Sequence, residues 1–101
     1  MIGYYLVALG AETNDVNAIM EKRLYEIGTV RKMMNNFYLL RVEEKDTNMR
    51  VSIRDKIIGE EKYSAFVLTL TDNLYTAWSF PRDNSNYLKK IIREDLHGTV
   101  E

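Results

Sequence analysis

The 101-residue chain has no cysteine, and only one proline, one tryptophan and one histidine. The lack of cysteine excludes disulfides, thiolate catalysis and cysteine-based zinc sites. The single histidine, His97, has no serine, cysteine or histidine partner at a catalytic spacing, and general acid–base chemistry needs a positioned partner. We therefore predict no catalytic residue, no metal ligand and no cofactor from these residue types.

Positive charge is not in excess either. The 14 basic and 15 acidic residues give a formal net charge of −1, whereas nucleic-acid-binding domains usually carry a basic surplus. The glycines are scattered and form no phosphate-binding loop. The apolar start, MIGYYLVALG, is too short to span a bilayer and lacks the basic region of a signal peptide. We expect a cytoplasmic protein with one domain, residues 1–96, and a flexible tail, residues 97–101.

The first half of the chain alternates between strand and helix patterns. Ile2–Leu9 is rich in aromatic and β-branched residues and predicts a buried strand. TNDVNAIMEKRLYEIG predicts a helix that begins at a Thr13 or Asn14 cap and ends before Gly28. TVRKMMNNFYLLRVEE predicts a hairpin with a two-residue Asn-Asn turn. The strand pairs that this turn predicts are Met34 with Phe37, Lys32 with Leu39, and Val30 with Arg41.

The next segments complete a recognisable order of elements. DTNMRVSIRDKIIG predicts a second helix, capped by Asp46 or Thr47 and ended by Gly59. Lys62–Leu70 predicts another strand, with Phe66 on one face and Val67 on the other. The order βαββαβ is typical of an α+β, ferredoxin-like fold, here extended by a short C-terminal strand and a helix. Right-handed crossovers place both main helices on one face of the sheet.

The C-terminal extension begins with TDNLYTAWSFPRD, residues 71–83. Its side chains alternate between two sides with a period of two, which predicts a strand that ends at Pro81. This strand would either cover the sheet or bridge a dimer. Trp78 and Phe80 share one side of this strand and are predicted as dimer or core anchors, with Trp78 buried. DNSNYLKKIIRED then predicts the last helix, capped by Asp83 or Ser85.

Both faces of the predicted sheet are apolar, although helices cover only one of them. Tyr5 and Val7 lie on one face of the first strand, where we predict core or dimer anchors, and Tyr4 and Leu6 lie on the other. A bare apolar face of several hundred Å² is rare in soluble monomers. Either the C-terminal segment or a second copy of the chain must cover it. We favour a homodimer joined through the sheet faces, because two-fold dimers are the commonest closed assembly.

Three stretches, YYLVALGAE, FVLTLTDN and AWSFPRDNSNYLKKII, resemble the small ferredoxin-like proteins known as SinR-like. More distantly, the chain is similar to the family of CRISPR-associated protein two. The order of elements covers Ile2 to Glu94. The resemblance implies a homodimer packed through its sheets and, for the CRISPR relatives, nucleic-acid handling with a metal-binding Asp at the end of strand 1. This chain has Ala8, Leu9 and Gly10 there, so the resemblance favours the architecture over nuclease chemistry.

Basic and tyrosine side chains form the candidate binding surface. Nucleic-acid binding combines cations that contact phosphates with aromatic rings that stack on bases. The residues of this type on predicted strands and at the last turn are Arg31, Lys32, Tyr38, Arg41, Tyr75 and Arg82. The acidic runs EEKD and GEEK lie close to them in sequence and favour solvated surface ion pairs as the alternative interpretation.

The interpretation we favour is a non-catalytic, homodimeric binding protein whose partner is a protein or a nucleic acid. One alternative is a metal-dependent nuclease that uses Glu12 or Asp15, since metal-assisted phosphodiester cleavage needs clustered carboxylates. The ordinary interpretation is that Asp15 serves the start of the first helix and that Glu12 is solvated. A host-interaction or anti-defence protein of a mobile element is a further alternative. No membrane partner is expected.

Overall fold

Four strands and two helices alternate along the first part of the chain. The structure, a computed structural model, describes residues 1–45, 47–71 and 78–96. The chain divides into two compact units, Met1–Thr69 and Leu70–Glu101. This division falls inside the predicted domain of residues 1–96, and the predicted tail, residues 97–101, lies outside the described residues. The elements of the first unit are β1 (Ile2–Leu9), α1 (Asn14–Ile27), β2 (Thr29–Met34), β3 (Phe37–Glu43), α2 (Met49–Ile58) and β4 (Ala65–Thr69).

The four strands form one antiparallel sheet in the order β2-β3-β1-β4. The central strand β1 has the bounds that its composition predicts, Ile2–Leu9. The α+β class is confirmed, and the sheet is compatible with a ferredoxin-like fold. β2 and β4 form the two edges of the sheet.

The helices pack on one face of the sheet. Val7, Tyr38 and Leu40 of the two central strands are fully buried there, together with Leu24 of α1 and Ile57 of α2. Apolar side chains at helical spacing bury one stripe of each helix against the sheet. The predicted anchors Tyr5 and Val7 therefore belong to this core.

Helix caps follow the prediction at α1 and depart from it at α2. The Thr13 hydroxyl accepts a hydrogen bond from the backbone N–H of Val16 at 3.3 Å, which confirms the first cap. The N-cap of α2 is Asn48, whose side chain makes no capping hydrogen bond. The predicted cap at Thr47 is therefore wrong, and Asp46 lies outside the described residues.

The hairpin contains a β-bulge that shifts the predicted pairing by one residue. Met34 pairs with Phe37 as predicted, but Lys32 pairs with Tyr38 instead of Leu39, and Val30 with Leu40 instead of Arg41. Met33 is the extra residue on β2, and its side chain is fully buried. A bulge places two residues opposite one, so every residue before it changes partner.

The strand β4 is shorter than the predicted segment Lys62–Leu70 because the chain first closes the end of α2. Gly59 ends the helix, as predicted. The backbone N–H of Lys62 donates to the Gly59 carbonyl at 3.2 Å, and that of Tyr63 donates to the Ile58 carbonyl at 3.2 Å. These bonds form a turn, so strand pairing begins only at Ala65.

The second unit contains a helix that changes its winding. α3 (Arg82–Lys90) continues directly into a π-helical turn, Ile91–Asp95. Its N-cap is Pro81, and the Ser85 hydroxyl donates to the Phe80 carbonyl at 3.3 Å. The predicted caps at Asp83 and Ser85 are therefore wrong. The apolar side of this helix is confirmed as buried at Leu88, Ile91 and Ile92.

We predict that Gly59→Ala destabilises the protein by about 1–3 kcal/mol, because its backbone conformation is almost restricted to glycine. Gly59 has φ 64° and ψ −167°. An added methyl group would also collide with the Arg23 guanidinium. Urea unfolding followed by circular dichroism measures the loss.

The matched control is Gly10→Ala. A methyl group there would meet Ser64 Cβ at 3.5 Å, an ordinary contact, and the Gly10 backbone is not in the left-handed region. We expect its free energy of unfolding to change by less than about 0.5 kcal/mol. Equal effects at the two glycines would contradict the conformational explanation.

Candidate functional site

The face of the sheet opposite α1 and α2 is the candidate functional surface. Antiparallel partners lie on the same face, so the observed pairs define it. We call it the second sheet face, and its members are Ile2, Tyr4, Leu6, Ala8, Thr29, Arg31, Met34, Phe37, Leu39, Arg41, Glu43, Phe66 and Leu68. Apolar residues dominate it, as predicted from the double-sided pattern of β1.

The most exposed large apolar side chain on the second sheet face lies on β4, although Ile2 of β1 and Met34 of β2 are exposed on it as well. Tyr4, Leu6 and Leu39 are buried within the single chain. Phe66 is 62% exposed and Leu68 is 40% exposed. An exposed aromatic ring offers a large apolar area that association with a partner can bury. The edge of the sheet at β4, rather than its centre, therefore offers the apolar contact surface.

The two edges of the sheet differ in how they resist further strand pairing. β2 carries Arg31, Lys32 and the bulge at Met33, and charges and bulges are common protections of an edge. β4, with the sequence AFVLT, has no charged residue and no proline. No strand among the described residues pairs with its outer edge. β4 is therefore the edge that is better suited to adding a strand.

The bulge separates the predicted basic contacts. Arg31 pairs with Leu39, which places it on the second sheet face beside Arg41. Arg41 is exposed, and its Nε donates to the Tyr4 hydroxyl at 3.3 Å. Lys32 pairs with Tyr38 and so belongs to the helix-covered face, at its exposed rim. The structure thus brings two of the predicted cations together and places the third on the other face.

Tyr38 is a core residue, which corrects its prediction as a base-stacking ring. Its side chain is fully buried, so neither face of the ring is available to a ligand. Its hydroxyl donates to the Glu21 carboxylate. Burial, followed by this hydrogen bond and the negative charge of Glu21, raises the pKa of Tyr38 well above its usual range.

The remaining predicted contacts belong to the second unit. Tyr75 lies outside the described residues. Arg82 is exposed at the first position of α3. Trp78 and Phe80 are half-buried, with ring centroids 6.5 Å apart and an interplanar angle of 21°. Residues 78–80 do not form a strand, and the rest of the predicted fifth strand lies outside the described residues.

The candidate acids of the nuclease alternative are solvated. Glu12 and Asp15 are both exposed, and Asp15 lies in the first turn of α1. The described part of the chain contains no group of three or more His, Cys, Asp or Glu side chains that could hold a metal ion. His97 lies outside that part. Of the helices it contains, none has the length and apolar character needed to cross a membrane.

The contacts that Arg23 makes at the end of α2 were not predicted from the sequence. Arg23 of α1 donates to the Ile57 carbonyl at 3.2 Å and to Glu61 Oε1 at 3.0 Å. Its guanidinium also lies 5.8 Å from the centre of the Tyr63 ring. A hydrogen bond from its own backbone N–H, followed by the bond from Arg23, lowers the pKa of Glu61. These partners are more than 30 residues apart in sequence, so spacing does not reveal them.

A scan against protein-family models, a search of curated proteins and a search of solved structures find no match to this chain. The resemblance to SinR-like proteins and to CRISPR-associated protein two therefore stays a prediction. The function must be inferred from the surfaces and side-chain contacts of the chain itself.

We predict that Tyr38→Phe destabilises the protein by about 1–2 kcal/mol, because the Glu21 carboxylate loses a hydrogen-bond donor inside the fold. The matched control is Tyr25→Phe, at an α1 position where the side chain is 52% exposed. Urea unfolding at pH 7 should show a loss only for Tyr38→Phe. Equal stability of the two variants would contradict a structural role for this bond.

The same bond predicts a pH dependence of stability. The folded-state pKa of Tyr38 is raised above its usual value of 10.0, so its contribution is complete below about pH 10. Above that pH the unfolded chain releases the phenolic proton first, and the contribution declines. The stability difference between the wild type and Tyr38→Phe should therefore shrink as the pH rises above 10. A difference that grew in alkali would refute the raised pKa.

Proposed function

We propose that this chain is a non-catalytic, ferredoxin-like domain that forms a homodimer and acts by binding a protein partner. The sheet order β2-β3-β1-β4, with two helices on one face, supports the ferredoxin-like assignment. The observation that carries the dimer is the uncharged edge strand β4, with Phe66 and Leu68 exposed on the second sheet face.

The geometry of β4 is self-complementary. If two copies pair antiparallel about Val67, Phe66 of one copy lies opposite the partner's Leu68, and the reverse contact follows by symmetry. Both contacts lie on the same face of a continuous sheet. Directly opposed apolar side chains are the units that stabilise such pairing. The pairing also satisfies the outward backbone N–H and C=O groups of the edge strand.

This dimer differs in detail from one joined through the centres of the sheet faces. Tyr4, Leu6 and Leu39, at the centre of the second sheet face, are already buried in the single chain. A second copy stacked there would gain little apolar burial from them. Association at β4 instead buries side chains that are exposed in the single chain.

We predict that the wild type has twice the 11.9 kDa chain mass in solution and that Phe66→Glu is monomeric. A charge opposite the partner's apolar side chain must be desolvated without a partner, which disfavours association. Multi-angle light scattering at micromolar concentration measures the mass, and circular dichroism verifies the fold.

The matched control is Tyr25→Glu, which changes an exposed aromatic residue on α1, a helix that packs on the sheet face opposite to that of Phe66. It should remain dimeric. A monomeric wild type would refute the dimer. A dimer that survives Phe66→Glu but dissociates with Tyr25→Glu would place the interface on the helices.

We infer a protein partner rather than a nucleic acid from the arrangement of charge. Arg31 and Arg41 share the second sheet face, but the exposed acid Glu43 follows Arg41 on the same face of β3. Lys32 lies on the opposite face. Phosphate recognition needs several cations along one surface, and two arginines beside an acid supply little of that charge.

Electrophoretic mobility assays with labelled DNA and RNA distinguish these alternatives, and we expect no binding at 150 mM salt. Binding that weakens steeply with salt and is lost in Arg31→Ala/Arg41→Ala would instead establish nucleic-acid binding. Cleavage in magnesium or manganese that Glu12→Ala abolishes would establish the nuclease alternative. Anti-defence activity for a mobile element would be one biological use of a protein-binding dimer.

A further inference from the structure

A cavity of about 310 Å³ opens between the end of α1, the end of β3 and one face of α2. Its lining belongs entirely to the first unit, and its members are Glu26, Ile27, Val42, Glu43, Lys45, Met49, Ser52, Ile53 and Lys56. This volume is at the lower end of the range for small-molecule sites. None of these residues belongs to β4, and of the lining residues only Glu43, at the end of β3, lies on the second sheet face.

The floor of the cavity is apolar and continuous with the core. Val42, Met49 and Ile53 belong to the buried core cluster, and Ile27 packs against it. Met49 is an unbranched, polarisable side chain that adapts to differently shaped apolar groups. The floor therefore suits an aliphatic or aromatic body of a ligand.

The rim of the cavity carries acidic and basic side chains, and these differ in whether they form an ion pair. Lys56 Nζ lies 4.0 Å from Glu26 Oε2, the limit of an ion pair, and Glu43 Oε1 lies 3.2 Å from the amino-terminal nitrogen of Met1. Both acids thus have a cation nearby. Among the described residues, no acid forms an ion pair with the Lys45 ammonium group.

Lys45 lines the cavity, and its backbone is bonded to α2. Its N–H donates to the Met49 sulfur at 3.5 Å, which ties the rim to the floor. Met49, Ser52, Ile53 and Lys56 follow the spacing i, i+3, i+4, i+7, so they form one stripe of α2. The site therefore combines an apolar floor, a hydroxyl group and an ammonium group that has no acidic partner in the described part of the chain.

We propose that this cavity binds a small amphipathic organic anion, with an apolar body on Val42, Met49 and Ile53 and an acidic head near Lys45. An opposite charge at the rim favours the anionic form of the ligand and orients it. The proposal does not rest on the homodimer, because none of the residues that line the cavity is part of β4.

Octanoate tests the proposal, with octylammonium as a probe of equal chain length and opposite charge. Both are titrated into the full ¹⁵N-labelled chain and followed by backbone amide chemical shifts. Octanoate should shift the amides of residues 26–27, 42–45 and 49–56 and bind at least about tenfold more tightly than octylammonium, a difference of about 1.4 kcal/mol.

Two variants of the cavity and one matched control make the test specific. Lys45→Glu should weaken octanoate binding about tenfold or more, and Ser52→Phe, at an exposed helix position, should abolish it by filling the cavity. Lys22→Glu reverses an exposed charge on α1 outside the cavity and should leave the affinity unchanged. A dispersed amide spectrum for each variant verifies folding.

Each possible result of these titrations either supports or overturns the proposal. The proposal is overturned if wild-type protein does not bind millimolar octanoate, if octylammonium binds equally well, or if Ser52→Phe binds like wild type. Loss of affinity in Lys22→Glu equal to that in Lys45→Glu would also overturn it, because the attraction would then come from overall charge. None of these results depends on whether the chain forms a dimer.

Discussion

The central strand β1 is the constraint on which the rest of the first unit depends. It pairs with β3 on one side and β4 on the other, and its residues alternate between two apolar faces. Tyr5, Val7 and Leu9 contribute to the core under the helices, whereas Tyr4 and Leu6 are buried on the second sheet face. Because side chains alternate with a period of two, a slip of β1 by one residue would exchange these sets and change every contact of both helices.

Hydrophobic spacing predicted the elements of this unit well, because burial acts on patterns that are local in sequence. β1 has its predicted bounds, α1 begins after the Thr13 cap, and α2 ends at Gly59. The sequence could not decide which face of β1 the helices cover, since both faces are apolar. The packing of Met20 and Leu24 against Tyr5 and Val7 resolves that question.

The candidate site was harder to predict, because its residues come together through backbone irregularities and distant contacts. Tyr38 is aromatic, as a base-stacking residue would be. Its position opposite α1, however, gives it a carboxylate partner, Glu21, which lies 17 residues earlier in the sequence. The cavity floor combines the ends of three elements, and no single spacing contains it. The exposure of Phe66 could not be predicted either. The alternation of side chains along a strand assigns each residue to a face of the sheet, but it does not say how much of that face is covered.

The bulge at Met33 shows that the charge displayed by an edge strand is not a property of its sequence alone. In a regular hairpin with the same turn, Lys32 would share a face with Arg41, and Arg31 would lie toward the helices. The bulge adds one residue to β2, and this exchanges Arg31 and Lys32 between the two faces of the sheet although the amino-acid sequence of the strand is unchanged. Two homologous strands of identical composition could therefore present different electrostatic surfaces, according to where each one accommodates its extra residue.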